Sequence, residues 1–321
     1  MLPKVVVFIV VWNGMEDTLE CLASLVVNGY PNMEIVVVDN GSTDGSAEAI
    51  RRKQLSVRII DAGANLGFTG GNNLGLAEAR RLKARYAFLL NNDTTLEKGA
   101  VRALVDAAEL DAEAGIVAPV MHYYDAPLEI WFAGGRLSLD RGEATHDQQL
   151  IPTRQCTPYP TPWVSGCAML VRMQAVEEVG GLDDRFYLTW EDVDWSVRMR
   201  RQGWTVLVVP MARIFHKCGR SGEKLKGIGS YYAVRNSLLL VSKHADKDYL
   251  RAAFRIIGSH LRAGLRLKQT DSLGRLATTW RGARDHFLGR YGRCRGRSQK
   301  RWRLRTDIKR GGVDAIGPNK Q

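Results

Sequence analysis

The sequence predicts an α/β domain, built on a mixed, mostly parallel sheet flanked by helices and followed by a basic helical extension. Three observations lead there. Apolar runs alternate with helical periodicity through the first 120 residues, as in a sheet covered on both faces. The runs are continuously apolar, so their strands are buried on both sides. Charge is split along the chain: residues 1–220 hold 22 Lys+Arg against 27 Asp+Glu, and residues 221–321 hold 24 against 7.

Taken in order, residues 5–12 form a β-branched and aromatic strand, and 17–27 a helix. Residues 34–39 are a second buried strand, 44–53 a helix and 57–61 a third strand. A Gly/Asn-rich loop at 63–73 opens a helix reaching about residue 83. A fourth strand at 86–90, a helix at 97–110 and a fifth strand at 116–119 complete the regular part. Residues 128–145 then carry Gly-Gly and Arg-Gly, which predicts a hairpin. Residues 151–163 hold four prolines and should be an extended loop. A strand at 163–172, a helix at 191–202 and a strand at 205–209 ended by Pro210 follow. Beyond Gly229 the pattern is helical, over 231–244, 247–267 and 273–287. From residue 290 the chain is Arg/Gly-rich and expected to be disordered. Three regions result: 1–222 as the main α/β domain, 223–289 as a helical extension and 290–321 as a basic tail.

Composition excludes several classes. With 45% hydrophobic and 25% charged residues the chain is globular. Five cysteines without CxxC spacing suit reduced thiols in the cytoplasm better than a disulfide framework or a zinc site. The run at 5–12 is too short to span a bilayer and has no A-x-A-like cleavage site, and no apolar stretch reaches 18 residues.

In parallel sheets ligands sit at the carboxyl ends of the strands, and this sequence puts Asn13, Asp39, Asn65 and Asp93 there. Asp39 follows four apolar residues and comes too early to cap the next helix, so it suits a base imide or ribose hydroxyl. Ser42, Thr43 and Asp44 read equally well as turn and cap residues. The glycine loop 63–73 lets backbone amides approach a nucleotide, but it follows neither the G-x-G-x-x-G nor the P-loop pattern. Asp93 is either a helix cap or an oxygen ligand for a hard divalent cation bound to substrate phosphate. Glu191, Asp192 and Asp194 place three carboxylates in four positions. Like-charge repulsion there raises at least one pKa, as a general base requires. The alternative is a first helical turn favoured by the helix dipole, which accounts well for Asp194. The flanking Trp190 and Trp195 could form a sugar-stacking platform. His216 ends an apolar strand and could converge with Asp93 on one ion; a structural histidine is the alternative.

In order, Val11-Trp12-Asn13-Gly14, Val38-Asp39-Asn40-Gly41-Ser42-Thr43-Asp44-Gly45-Ser46, Asn65-Leu66-Gly67-Phe68, Asn91-Asn92-Asp93, Glu191-Asp192-Val193-Asp194 and His216 resemble a family 2 glycosyltransferase of the GT-A fold. The resemblance is to the bacterial rhamnosyltransferase-like branch and covers residues 4–221. It implies a nucleoside-diphosphate sugar donor, dTDP- or UDP-linked, and a glycan or lipid-linked acceptor. Asn13, Asp39 and Asn65 would hold the nucleoside, with Val11, Gly67, Asn72, Asn92 and Asp93 completing the donor set. Trp190 and Trp195 would face the acceptor. Asp93 and His216 would hold Mg2+ or Mn2+, and Asp192, with Glu191 beside it, would deprotonate the acceptor in a single inverting displacement. The family's first metal-motif Asp is Asn91 here, so the ion is expected to lean on His216 and the diphosphate. Many relatives carry Ala-Arg-Asn where this chain has Gly71-Asn72-Asn73, which puts one phosphate contact in question, although the rhamnosyltransferase-like branch also reads this way.

Two other functions compete. A sugar nucleotidyltransferase would need a basic Gly-rich loop near the N-terminus, whereas residues 11–16 hold no Arg or Lys. A nucleic-acid-binding protein using residues 290–310 would leave the acidic cleft residues unexplained, so no specific nucleic acid is expected. Phe254, Ile257, Leu261 and Leu265 follow helical spacing among Arg251, Arg255, Arg262 and Arg266. Such a helix suits an anionic membrane surface or packs on the catalytic domain. The expected location is cytoplasmic, peripheral on the inner face of the cell membrane.

Overall fold

A computed structural model describes residues 2–53, 56–151, 154, 156–218, 228–245, 248–266 and 269–294. Strand β1 (Val5–Val11) is buried almost throughout and sits between β2 (Met33–Asp39) and β4 (Tyr86–Asn91), parallel to both. Strand β3 (Val57–Asp61) extends the parallel set beyond β2. The crossovers are α1 (Met15–Asn28), α2 (Ser46–Arg52) and α3 (Gly67–Arg81). All four strands therefore deliver their carboxyl ends, and the polar residues that follow them, to one edge of the sheet.

Past β4 the sheet becomes mixed. Strand β11 (Ala168–Arg172) runs antiparallel between β4 and β6 (Ala114–Tyr123), and β12 (Thr205–His216) lies parallel to β6. The short β5 (Thr94–Leu96) pairs with the end of β12, β7 (Ile130–Phe132) with β6, and β10 (Tyr159–Pro160) with the start of β12. Strands β8 (Gly135–Ser138) and β9 (Glu143–His146) form the expected hairpin. Helices α4 (Ala100–Leu110), α5 (Met173–Val179) and α6 (Glu191–Arg201) complete this half.

Four expectations need correction. Pro210 does not end its strand: the β12–β6 register shifts between Val209 and Arg213, and the bulge accommodates the proline. The strand expected at 163–172 begins only at Ala168, because 164–167 form a wall of the site described below. The helix expected from 97 starts at Ala100, since Thr94–Leu96 pair with β12. Helix α5 follows β11 without a turn; its Met, Gln, Ala and Glu residues favour a helix, but seven residues are too few to show helical periodicity beside an apolar strand.

The extension contains α7 (Gly229–His244), α8 (Tyr249–Leu265) and α9 (Gln269–Phe287). Leu239 and Leu240 of α7 are buried in the main core, while Val234, Leu238 and Val241 pack on Ala252, Ala253 and Ile256 of α8 and Ala283 of α9. Each such fully buried side chain contributes about 1.5–3 kcal/mol, so α7 is a structural part of the catalytic domain. On α8 and α9, Leu250, Phe254, Leu265, Leu273, Trp280 and Phe287 are exposed, as is Leu288 just past α9. Packing on the catalytic domain therefore holds for α7, while the outer faces of α8 and α9 are open. The 222/223 boundary and the tail beyond Cys294 lie outside the described residues. Among the described residues no helix is long and apolar enough to cross a membrane.

Candidate active site

The turn after β2 organises the first part of the cleft. Asp39 accepts a hydrogen bond from the Ser42 amide at 2.9 Å, and Asn13, with φ of 53°, accepts one from the Thr43 amide at 2.7 Å. The Asn13 amide in turn donates to Ser42 Oγ at 3.1 Å. Asn13 and Asp39 are thereby held side by side at the ends of β1 and β2. Asn40, which carried no signal of its own, is buried and bridges to the next loop: it accepts from the Leu66 amide and donates to the Gly67 carbonyl. Asn65 accepts from the Gly67 amide at 2.8 Å and from the Tyr187 hydroxyl at 3.1 Å. Gly67 has φ of +80°, and a Cβ there would sit 2.5 Å from Tyr187 Cδ2 and from its carbonyl oxygen. Only glycine lets the loop and the Tyr187 segment meet this closely.

Asp93 and His216 converge as expected. Pairing of β5 with β12 sets His216 opposite Thr94, and the Lys217 amide donates to the Asp93 carbonyl at 3.0 Å. Asp93 Oδ1 is buried, makes no hydrogen bond and lies 3.3 Å from His216 Nε2. His216 Nδ1 lies 3.1 Å from Cys218 Sγ. An unpartnered carboxylate oxygen beside an imidazole nitrogen suits a divalent cation. Among the described residues no cluster of three or more His, Cys, Asp or Glu side chains forms a metal site. Asn92 donates to Thr18 Oγ1 at 3.1 Å and braces this turn against α1.

The three carboxylates at the start of α6 separate into different environments. Asp192 accepts from the Gly166 amide at 2.9 Å and from the Val193 amide at 2.8 Å. Burial raises its carboxyl above the ordinary range, against the pull of those donors. Glu191 is buried, its Oε2 has no partner, and burial followed by the neighbouring Asp192 charge raises its carboxyl well above the usual value. Asp194 is fully buried with Arg198 at 2.8 Å, Lys243 at 2.6 Å and His244 at 2.8 Å. Burial works to raise its carboxyl, but the His244 hydrogen bond and the two cations outweigh this and hold it below the ordinary range. Asp194 is thus a joint between α6 and α7.

A cavity of about 410 Å³ lies against Asp192, with Glu191, His216, Trp131, Trp163 and Trp190 among its walls. Trp131 packs edge-on to both His146 and His216, at 4.6 and 4.5 Å between ring centroids. Trp131, His146, Trp163 and Phe68 were missed in the sequence. The first three belong to the hairpin region and the proline-rich loop, where only backbone signals were legible.

Three expected site residues do not present their side chains to the cleft. Trp195 is fully buried and its indole N–H donates to the Gly180 carbonyl, so it cannot stack on an acceptor. Asn72 is buried and donates to the Phe68 carbonyl, holding α3 together. Val11 lies in the core, and its carbonyl already accepts from the Asn40 amide.

The family model described as glycosyl transferase family 2 matches residues 6–180. The chain is 29% identical over 220 residues to an N-acetylglucosaminyl-diphospho-decaprenol L-rhamnosyltransferase of Mycobacterium tuberculosis, covering 61% of this chain and 70% of that protein. It is 24% identical over 228 residues to the dTDP-rhamnosyl transferase RfbF of Shigella flexneri, covering 66% and 72%. Its fold is similar to that of GalNAc-T7 with UDP, GalNAc and Mn2+, with a TM-score of 0.65 at 16% identity over 97% of this chain and 58% of the other. It is also similar to the mannosyltransferase PcManGT from Pyrobaculum calidifontis in complex with GDP-Man and Mn2+, with a TM-score of 0.57 at 16% identity over 90% and 88%.

Proposed function

The chain belongs to glycosyl transferase family 2, and from that premise we propose that it moves a sugar, with inversion, from a nucleoside-diphosphate donor to a hydroxyl of a glycan or lipid-linked acceptor. Rhamnose from a dTDP-linked donor is the first choice, because two relatives are named as rhamnosyltransferases; a UDP-linked donor is the second. The observation that carries the reading is the shared cavity of His216, the neighbour of Asp93, and Asp192.

Each side of the cleft has its task. Asn13, Asp39 and Asn65 receive the nucleoside. The diphosphate reaches toward Asp93 and His216. Asp93 and His216 would hold a Mg2+ or Mn2+ through one oxygen and one nitrogen donor, and that ion would supply neutralisation of charge on the departing diphosphate. The acceptor sits in the aromatic-walled cavity against Trp131, Trp163 and Trp190.

Asp192 is the general base. Two backbone N–H donors favour its ionised form, whereas Glu191 has an unpartnered buried oxygen. In such a coupled pair the proton stays on Glu191 and the charge on Asp192. Asp192 takes the acceptor proton as the oxygen attacks the anomeric carbon opposite the leaving group, a contribution of about 10²–10⁴-fold. Calorimetry against dTDP, UDP and GDP, with and without Mn2+, tests the donor side: the reading expects binding of dTDP or UDP strengthened by the ion, and ion-independent binding would contradict it.

The outer faces of α8 and α9 support a membrane-facing role. Exposed Phe254, Trp280, Phe287 and Leu288 lie among Arg251, Arg262, Arg266 and Arg290. A lipid-linked acceptor at an anionic surface would be reached from this side, each nearby basic residue adding roughly 1 kcal/mol of attraction.

A further inference from the structure

Residues 185–190 form the strand of chain between the two halves of the cleft. Tyr187, Thr189 and Trp190 have φ of 65°, 67° and 73°, so three non-glycine residues in four positions occupy the left-handed region. For a β-branched residue such as Thr189 this is a true outlier. Such backbone persists only where the surroundings over-determine it. On one side the segment grips the donor loop: the Phe68 amide donates to the Tyr187 carbonyl at 2.7 Å, and the Tyr187 hydroxyl donates to Asn65. On the other it leads directly into Glu191 and Asp192.

What over-determines it comes from the extension. Arg235 of α7 is fully buried. Its guanidinium donates to the carbonyls of Arg185 at 3.0 Å, Phe186 at 2.8 Å and Gly292 at 2.6 Å. It lies over the rings of Tyr231, Tyr232 and Tyr291 at 5.3, 4.9 and 6.0 Å. Its Nε donates to Asn236 Oδ1 at 2.9 Å, which fixes that amide so that Nδ2 faces the segment. Asn236 Nδ2 then donates to the carbonyls of Phe186, Leu188 and Thr189 at 3.0, 2.7 and 2.9 Å. Two adjacent side chains thus capture four of the five carbonyls from Arg185 to Thr189. A buried cation whose partners are carbonyls and aromatic faces is an expensive way to gain stability alone. Its geometric yield is a fixed segment.

We propose that Arg235 and Asn236 are positioning residues for sugar transfer: they clamp residues 185–190 so that the donor loop at Gly67–Phe68 and the base Asp192 keep one relative geometry. The inference rests on the transferase reading above and makes α7 an integral part of the active site. Small misplacements of reacting groups cost about 10²-fold in rate, and a segment freed at Leu188 and Thr189 moves Asp192 directly.

The test compares Asn236→Ala and Arg235→Lys with Leu240→Ala, a core change on the same helix that removes none of these hydrogen bonds. Far-UV circular dichroism and Tm are measured for all, with kcat and KM for a nucleotide-sugar and acceptor pair that the wild type turns over. Asn236→Ala is expected to lose about 10–100-fold in kcat at saturating substrates, with Leu240→Ala near wild type at an equal or larger loss of Tm. Amide exchange in 186–192 should quicken in Asn236→Ala and Arg235→Lys but not in Leu240→Ala. Unchanged kcat in Asn236→Ala, or kcat losses that simply follow Tm across the three variants, would overturn the clamp. A wild type inactive with every donor would instead strike at the transferase reading, and exchange that stays slow in Asn236→Ala would then overturn the clamp separately.

Discussion

Asp93 Oδ1 lies 3.3 Å from His216 Nε2, although the two residues come from opposite halves of the chain. The β5–β12 pairing creates that approach, and nothing else hydrogen-bonds the Asp93 oxygen. If both residues serve one ion, their losses are not additive. Asp93→Ala and His216→Ala should each weaken Mn2+-dependent nucleoside-diphosphate binding by at least about tenfold, or 1.4 kcal/mol. The double variant should lose less than the sum. Unaltered Mn2+ dependence in His216→Ala, read by calorimetry, would return the histidine to a structural role.

The carboxylate pair sets the pH behaviour. Both carboxyls are raised, so kcat should fall on the acid side above the range of an exposed Asp, about 3.9. Glu191→Gln mimics the protonated neighbour and should retain most of kcat with little shift of this limb. A raised carboxyl lends stability that is present below its unfolded value and lost as pH rises through its folded value. Glu191→Gln should therefore raise Tm at pH 7 relative to wild type, and less so at pH 4. Loss of activity in Glu191→Gln with retention in Asp192→Asn would reverse the assignment.

Asp194 behaves oppositely. Its carboxyl is held below the ordinary range, so its stabilisation is present above the unfolded value near 3.9 and lost as pH falls through the folded one. Asp194→Ala leaves Lys243 and His244 facing a buried gap and should cost on the order of 3 kcal/mol. Urea denaturation at pH 7 measures it; a change under 1 kcal/mol would mean the α6–α7 joint is held by packing alone.

Gly67→Ala adds a Cβ at positive φ directly against Tyr187. The donor loop must move, so dTDP or UDP affinity should fall at least about tenfold while the core stays folded. Wild-type affinity would show that the loop does not contact the donor.

The fold was legible because β1, β2 and β4 carry continuous apolar runs, and strand ends were readable as sites: Asn13, Asp39, Asn65, Asp93 and His216 all gather at one sheet edge. What escaped depends on tertiary placement. Trp195 and Trp190 look alike in sequence; Trp195 faces the core from within α6, whereas Trp190 precedes that helix with φ of 73° and lies beside the cavity. Asp194 looked like a dipole-favoured acid because Lys243 and His244 lie far along the chain. Arg235 carries no signal in the sequence, since periodicity does not reveal that the α7 face bearing it meets residues 185–189.

The exposed face of α8 and α9 should bind anionic liposomes at low salt. Truncation after Ser242 would tear α8 and α9 from the core helix α7, so substitution is the cleaner probe. Phe254→Ser combined with Trp280→Ser should reduce co-flotation several-fold without lowering transfer to a soluble acceptor. Equal partitioning of variant and wild type would contradict membrane docking through this face.

Release of nucleoside diphosphate from a dTDP- or UDP-linked sugar with acceptor present, in wild type and in Asp192→Asn at matched donor occupancy, tests the role of Asp192 most directly. Turnover in the wild type should need a divalent cation, and Asp192→Asn should lose about 10²–10⁴-fold with donor affinity nearly unchanged. Undiminished turnover in Asp192→Asn would contradict that role.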